Sequence, residues 1–502
     1  MSNPKTNNNV QDTYFFSREK ALITALENNY FVIPGSVVKG RQVCYHPGEK
    51  QQTDPENLIS VPFDKADKFF SESILRKPTN IDYSDHPYGE IELQSKINAI
   101  RESISVWGPR LYIKFKKAAS EIADFKFDKL PARLRICIWQ TRYTTVLQYA
   151  ALGLAKAFEK IGHEVNFIIE ENDMQSISSN KYLHIYKALA NFKPHLFIDI
   201  NALLSNQVIS SCSYYVAWFQ DPTDALINNT LPSWRDRDLV YKVGDSVDFN
   251  STLKDHKNLQ PLCVDDSIFH IDSRVKRKNK IVFVGSSYES QVADFANMHP
   301  QIFKKIKNDF TSGLPTNLPV YLSSLFTAEQ MRSSSFATFV KYRLLNYVVR
   351  DICVEWICQQ DIIDVEIYGR GWAENPIVAP FFKGELKHGS EVAKIYQSAK
   401  YALVCLPHEV VTQRLNEALA CGCQPVVYDC RYACGPPYYE EALLYFGTQK
   451  ELIGNLGKDL IIKTEALTAI SAKYTYSSFA KRILLDLKKK ERADEQGDSK
   501  RS

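Results

Sequence analysis

The residues best equipped for chemistry lie between His408 and Val427. Seven residues separate Glu409 from Glu417, Arg414 among them. The Ala-rich run that Glu417 opens stops at Gly422, and Pro425-Val426-Val427 reads as a strand, so the stretch is a loop–helix–strand unit. Carboxylates accept hydrogen bonds from ribose and sugar hydroxyls, while helix N–H groups and an arginine hold a diphosphate. A sugar nucleotide is the ligand such a unit suits. Arg414 and Glu417 are spaced i, i+3 and share one helix face. An isolated surface pair of that kind contributes at most about 1 kcal/mol, and it would not account for the upstream glutamate, the small residues or Gly422.

Other segments carry weaker chemistry. In Tyr368-Gly369-Arg370-Gly371-Trp372, two glycines bracket Arg370 at a strand end. There Arg370 is placed to pair with a diphosphate and Trp372 to pack on a base or sugar; a Gly-rich turn with a surface arginine and a core tryptophan fits equally well. In Phe283-Val284-Gly285-Ser286-Ser287-Tyr288, Gly285 lets the backbone approach a phosphate, and Ser286 and Ser287 offer it hydroxyl donors. Trp218-Phe219-Gln220-Asp221-Pro222 follows a strand, where Asp before Pro is also a good turn former. His163 reads as a packing residue at a helix end. Cys421, Cys423, Cys430 and Cys434 cluster, but their spacing matches no standard zinc module, and no metal is expected. No Gly-x-Gly-x-x-Gly follows either leading strand, which argues against a dinucleotide-dependent dehydrogenase.

These residues need a scaffold, and the apolar pattern supplies one. Strands are expected at 134–139, 165–169, 196–200, 214–218 and 239–243, with a helix from Leu147 to Ile161 stopped by Gly162. A second series follows the basic run 274–280, with strands at 281–284, 365–368, 401–405 and 425–427 and about eighty residues of helical pattern between the first two. Short apolar strands alternating with helices mean parallel α/β sheets, which bind ligands at the carboxyl ends of their strands. Residues 274–278 read as a solvated linker. Residues 1–13 read as disordered, and the following stretch to 130 as short helices, loops and a hairpin near Tyr30–Val43. A last helix is expected over Tyr476–Lys488, followed by a disordered charged tail.

At 502 residues with 44% apolar and 24% charged content, the chain is composed like an ordinary soluble protein, and a net charge of +4 is too small to point to nucleic acid. The eleven scattered cysteines read as free thiols of a reducing compartment. No apolar run reaches the ~18 residues of a membrane span, and the polar N-terminus has no signal-peptide core. A cytoplasmic protein is expected.

The segment around Glu409, Arg414 and Glu417 resembles the C-terminal signature of GT-B glycosyltransferases, and its Arg414-x-x-Glu417 form is similar to the CgeB-like, group 1 glycosyl transferase family. Phe283–Ser286, Tyr368–Trp372, Gly162–Val165 and Trp218–Pro222 resemble further steps of that family. The resemblance implies an α/β GT-B fold of two Rossmann-like domains facing a central cleft: an N-terminal extension (1–130), an acceptor domain (131–273), a nucleotide-sugar domain (274–470), and a crossover helix with its tail (471–502). It implies that Glu417 holds the ribose, Arg414 the phosphates or donor sugar, and Glu409 a sugar hydroxyl, with Gly285, Ser286, Ser287, Arg370, Gly371 and His388 also on the donor. The loop Gln140–Thr145 would carry acceptor contacts or cap the next helix. In an inverting enzyme a carboxylate or imidazole of the first domain takes the acceptor's proton; Asp221 is the first candidate and Asp199 the second. This chain has Val410-Val411-Thr412 where related enzymes with both glutamates carry glycines. The function implied is metal-independent transfer from a nucleotide-sugar, a co-substrate rather than a cofactor, to a polysaccharide, lipid or protein. A peripheral membrane contact is compatible with it. The alternatives are a non-catalytic GT-B binding or scaffold protein and another GT-B enzyme such as a sugar-nucleotide epimerase. On the exposed-helix reading, Glu417→Ala would weaken donor binding and leave stability nearly unchanged.

Overall fold

A computed structural model of the chain describes residues 13–27, 43–45, 51, 58–61, 63–66, 68, 80–140, 145–169, 183–201, 209–221, 233–244, 253, 258–314, 317–434, 437, 439–457 and 464–498. The expected hairpin lies outside them except for Val43, and so do residues 1–12. The chain forms two compact units: Met1–Tyr241 with Thr252–Asn258 and Arg482–Ser502, and Lys242–Ser251 with Leu259–Lys481.

In the first unit, β5 (Arg135–Gln140), β6 (Glu164–Ile169), β7 (Leu196–Ile200), β8 (Tyr214–Phe219) and β9 (Asp238–Lys242) form a sheet in the order β6-β5-β7-β8-β9. In the second, β10 (Lys278–Val284), β11 (Asp364–Tyr368), β12 (Ala399–Val404), β13 (Gln424–Tyr428) and β14 (Leu444–Phe446) take the order β11-β10-β12-β13-β14. Both sheets therefore read second, first, third, fourth, fifth. The pairs β5–β6, β5–β7 and β7–β8, and all four pairs of the second sheet, run parallel. Strands buried on both faces read as near-continuous apolar runs, and β7, β8 and β13 are buried along their whole length, with Asp199 and Gln424 as their polar members. The α/β class with two Rossmann-like domains is the one that the alternation of strands and helices predicts.

The helix Thr145–Lys160 ends as expected at Gly162, whose φ is +93°. Gly162 N–H reaches Glu159 O (2.9 Å) and His163 N–H reaches Phe158 O (3.1 Å), which is the Schellman arrangement. His163 packs there too, its Nδ1 accepting from Leu134 N–H (3.2 Å).

Four expectations need correction. The first 130 residues hold more than the short helices and loops expected. Strands β1 (Thr13–Phe15), β2 (Val43–Tyr45), β3 (Leu58–Ser60) and β4 (Asn80–Asp82) form a parallel sheet in the order β3-β2-β1-β4, and a 34-residue helix, Glu90–Ala123, follows. Tyr14, Phe16, Val61, Ile97 and Ile100 are buried together between them. Three-residue strands carry too little periodicity to read, and Pro109 breaks the helical pattern. The charged tail is not disordered to its start, because the last helix runs from Tyr476 to Asp498. The basic run 274–278 is not merely solvated: Arg277 Nη1 donates to Tyr396 O (3.2 Å) and Ala399 O (2.8 Å), and Nη2 to Cys421 O. Finally, β14 adds an edge strand that the sequence did not show.

Candidate functional site

A parallel sheet of this order changes the direction of its connections between its first and third strands, and ligands bind at the carboxyl ends there. In the second unit those strands are β10 and β12. The segment Gly285–Tyr288 leaves β10, and the loop leaving β12 leads to the helix Gln413–Ala420. Thr412 caps that helix, its hydroxyl accepting from Leu415 N–H (3.1 Å). Gly422 (φ +68°) closes it, with Cys423 N–H on Ala418 O and Gly422 N–H on Leu419 O (both 2.9 Å).

Glu417 is the hub of this end. Its side chain is 0% exposed, and both oxygens are engaged: Oε2 by Arg414 Nη1 (2.6 Å), Oε1 by His388 Nε2 (3.0 Å) and by Gln413 Nε2 (3.1 Å). Burial alone would push its pKa up; the Arg414 charge, with the hydrogen bond and charge of His388, more than reverses that, so the carboxyl sits below its ordinary value. Arg414 and His388 reach the surface, with side chains 36% and 23% exposed. The structure thus joins His388, Arg414 and Glu417, three residues singled out from the sequence. It puts the arginine and the histidine, rather than the carboxylate, where a ligand has access. Glu409 Oε1 lies against Gly244, 3.0 Å from where a Cβ on that glycine would stand. His408 Nε2 meets Lys341 O (3.0 Å) in a π-helical turn, Val340–Leu344, that leads into the helix Leu345–Cys358.

The two strand-end segments of β10 and β11 are pressed together. Gly369 has φ +130°, and its N–H reaches Gly384 O (3.1 Å). Arg370 N–H donates to Ser286 Oγ (3.3 Å), and Ser287 N–H to Arg370 O (2.9 Å). Gly371 (φ +79°) packs on Ser287, 3.2 Å from its Cβ position to Ser287 Cβ. Arg370 itself is 80% exposed and paired with Glu385 (2.9 Å). Trp372 does not offer its face to a base or sugar. It is buried in the core, edge-on to Phe283, with Nε1 donating to Gly285 O (2.7 Å). Of its two sequence readings, the core tryptophan is the one observed.

Ser287 is also committed internally. Its hydroxyl donates to Asp351 Oδ2 (2.5 Å), and Tyr288 N–H reaches both Asp351 oxygens (3.1 Å each). Asp351 is buried, which pushes its carboxyl up to about 7 against the opposing bonds from Ser287 and Tyr288 N–H. Neither Asp351 nor its neighbour Arg350 was singled out from the sequence. The available signal was a charged pair inside the apolar run Val348–Val354. A raised carboxyl pKa makes folding take up a proton between the ordinary value, 3.8, and about 7. Its contribution to stability therefore falls as pH rises through that window. Wild type should lose more melting temperature between about pH 5 and pH 8 than Asp351→Asn does; parallel losses would show that the group does not titrate there.

Residues 350–484 match a family described as glycosyl transferase-like. The matched segment takes in Arg370, His388, Glu409, Arg414 and Glu417, so the polar hub around Glu417 belongs to it. No curated protein matches the chain in sequence. Among solved structures, the chain is similar to a glycosyltransferase from Rickettsia africae at 10% identity, over 72% of this chain and 99% of that one, with a TM-score of 0.44. It is similar to a sucrose-phosphate synthase from Thermosynechococcus elongatus at 12% identity (71% and 99% covered, TM-score 0.39). It is also similar to Anabaena HepE in complex with UDP-glucose at 9% identity (71% and 100% covered, TM-score 0.40).

All but the last three residues of the glycosyl transferase-like segment lie in the second unit, and the first unit has polar strand ends of its own. Asn201, just past β7, adopts φ +58°, rare for a residue with a side chain. Its Oδ1 accepts from Gln220 N–H (2.6 Å) and Asp221 N–H (3.1 Å), and its Nδ2 donates to Asp221 Oδ2 (2.7 Å). Asp221 has exposed area, yet protein crowds its carboxyl enough to raise the pKa, with the Asn201 bond opposing. Asp199 is buried within β7, its Oδ2 accepting from Tyr215 OH (3.2 Å). Gln140 ends β5, fully buried, with no partner for Oε1 among the described residues; residues 141–144 of its loop, and Pro222, lie outside them. Among the described residues no group of three or more His, Cys, Asp or Glu could hold a metal, and no helix is long and apolar enough to cross a membrane.

Proposed function

We propose that the protein is a glycosyltransferase that moves a sugar from a nucleotide-sugar donor to a polysaccharide, lipid or protein acceptor, without a bound metal, in the cytoplasm. The observation that carries this is the coincidence of the glycosyl transferase-like segment with the Arg414–Glu417–His388 hub at the strand ends of the second sheet. Glycosyl transfer breaks the anomeric C–O bond as the nucleoside diphosphate leaves, so the main demand is electrostatic stabilisation of a dianion. Arg414 and Arg370 supply fixed positive charge for it. Glu417, with both oxygens engaged, holds Arg414 and His388 in place, and Glu409 is the carboxylate assigned to a sugar hydroxyl. Asp221, with its raised pKa, is assigned to accept the acceptor's proton, since a base works best when its pKa lies near the working pH. Ten of the cysteines are free thiols, in keeping with a reducing compartment.

The test is melting of the purified protein with UDP, GDP, CMP, ADP and dTDP and their sugar conjugates, followed by an assay of nucleotide release. A ligand at a hundred times its dissociation constant adds about 2.7 kcal/mol to the native state. One nucleotide family should shift the melt selectively, and its sugar conjugate should release nucleotide when an acceptor is added. The second reading, a non-catalytic binding protein, is favoured by one feature: protein donors already saturate Glu417. A melting shift with no turnover on any acceptor would establish it. No shift with any nucleotide would remove both.

A further inference from the structure

The helix Glu90–Ala123 has two faces of opposite kind towards its C-terminal end. One is fixed inside the first unit: Ala118 and Ile122 are buried, and Phe115 meets Tyr186 of the helix Leu183–Phe192 edge to face, with ring centres 4.4 Å apart. The other carries Pro109, Arg110, Tyr112, Ile113, Lys116 and Lys117, all exposed. Ile113 stands in the middle of it, 68% exposed, with Pro109 and Arg110 one turn back and Lys116 and Lys117 one turn on. Tyr112, 48% exposed, flanks it, and Lys116 Nζ sits 4.7 Å from the centre of its ring.

A single exposed isoleucine calls for no explanation. A ring of cations around one does, because their alkyl stems extend the apolar surface beneath the charges. No Asp or Glu occurs from Ser103 to Ser120, while Arg110, Lys114, Lys116 and Lys117 fall within eight residues. Glu121, 3.9 Å from Lys117, is the acid at the edge of this patch. A solvated helix face usually mixes the two signs of charge, as Glu92 and Lys96 do near the start of the same helix (3.5 Å). Around Ile113 a single sign surrounds aliphatic and aromatic carbon.

That combination matches an anionic bilayer. Lipid phosphates draw the basic side chains, the tyrosine ring sits at headgroup level, and the isoleucine enters the acyl boundary. A nucleic acid would use the cations and leave Ile113 in water. A second copy of this chain would set like charge against like charge. No described helix is long and apolar enough to cross a membrane, and a contact of this kind lies along the interface instead. We propose that Arg110, Tyr112, Ile113, Lys116 and Lys117 form a docking face for an anionic membrane surface. The face lies outside the glycosyl transferase-like segment, and the inference does not rest on the function proposed above.

Flotation of the full chain with vesicles of pure phosphatidylcholine, and of phosphatidylcholine mixed with phosphatidylglycerol, tests this. Wild type should bind the mixed vesicles and not the neutral ones, and salt should weaken the binding. The double variant Lys116→Glu, Lys117→Glu should lower partitioning about ten-fold or more, since each basic residue near such a surface favours binding several-fold. Ile113→Ser should lower it at unchanged charge, which purely electrostatic attraction would not show. Because these side chains are exposed, the melting temperature should not move; if the double variant melts early, Arg110→Gln repeats the charge test. Equal binding to neutral vesicles, or binding unchanged in either folded variant, overturns the proposal, as does a wild type that binds neither. With neither bound, a dimer that Ile113→Ser dissociates would assign the face to a second copy. Retention of an oligonucleotide that the double variant loses would assign it to nucleic acid.

Discussion

Glu417→Ala is expected to lower the stability of the second unit by about 3 kcal/mol and to abolish donor binding. The sequence alone led to the opposite expectation for stability, because an i, i+3 pair on a helix normally lies at the surface. The structure buries the carboxylate completely and surrounds it with Arg414, His388 and Gln413. Removing the carboxylate leaves Arg414 without its counter-charge, for which about 3–5 kcal/mol is usual. Arg414 and His388 can still turn to water, so the low end applies. Because the Glu417 pKa is depressed, its contribution is fully present above the ordinary carboxyl value and is lost as pH falls through the lower folded value. The deficit of the variant should therefore shrink in acid. A double substitution with Arg414→Ala should cost less than the sum of the two singles. Denaturant titrations at neutral and acid pH measure all of this. A variant as stable as wild type would mean that the carboxylate is not the hub described here.

Gly369→Ala should be nearly as damaging, for a steric reason. At φ +130° a side chain is strained wherever it sits, and a Cβ here would lie 2.2 Å from Gly285 O and 2.5 Å from Gly285 C. Both obstacles are backbone, so no rotamer change relieves them. Strain and overpacking together should cost about 4 kcal/mol, and relief would have to push the end of β10 away from Arg370. Gly384→Ala is the matched control: its φ is +104°, but a Cβ there meets nothing within 4 Å. It should lose only the strain, about 1–2 kcal/mol. Unfolding free energies for the two variants separate contact from conformation. Equal losses would show that the β10 and β11 ends are not packed as closely as described.

Most of both five-stranded sheets was legible because their strands are runs of apolar residues between polar turns, as in Leu196–Ile200 and Tyr214–Phe219. The cap at Gly162 and the helix Gln413–Ala420 were legible for the same local reasons. What could not be read depends on residues far apart in the chain. The first sheet is made of three-residue strands that gain stability only by pairing and by the cover of a helix 34 residues long. The saturation of Glu417 depends on His388, 29 residues away. Asp351 and Arg350 act on Ser287 and Ser286 from 64 positions along the chain. Residue types predicted which groups could do chemistry at the site; only the fold shows which of them are already spoken for.

The return of the chain at Arg482 bears on how the molecule is made. The first unit takes in Arg482–Ser502, and those residues are bonded into it: Asp486 accepts from Tyr241 OH (2.8 Å), Glu491 from Leu130 N–H (2.7 Å), and Lys490 donates to Asp236 O. On a ribosome adding roughly 5–20 residues per second, Tyr241 precedes Asp486 by 245 positions. The N-terminal unit therefore waits on the order of tens of seconds for its last helix, while the second unit is synthesised in full. During that interval β9 lacks the hydrogen bond that Asp486 accepts from Tyr241.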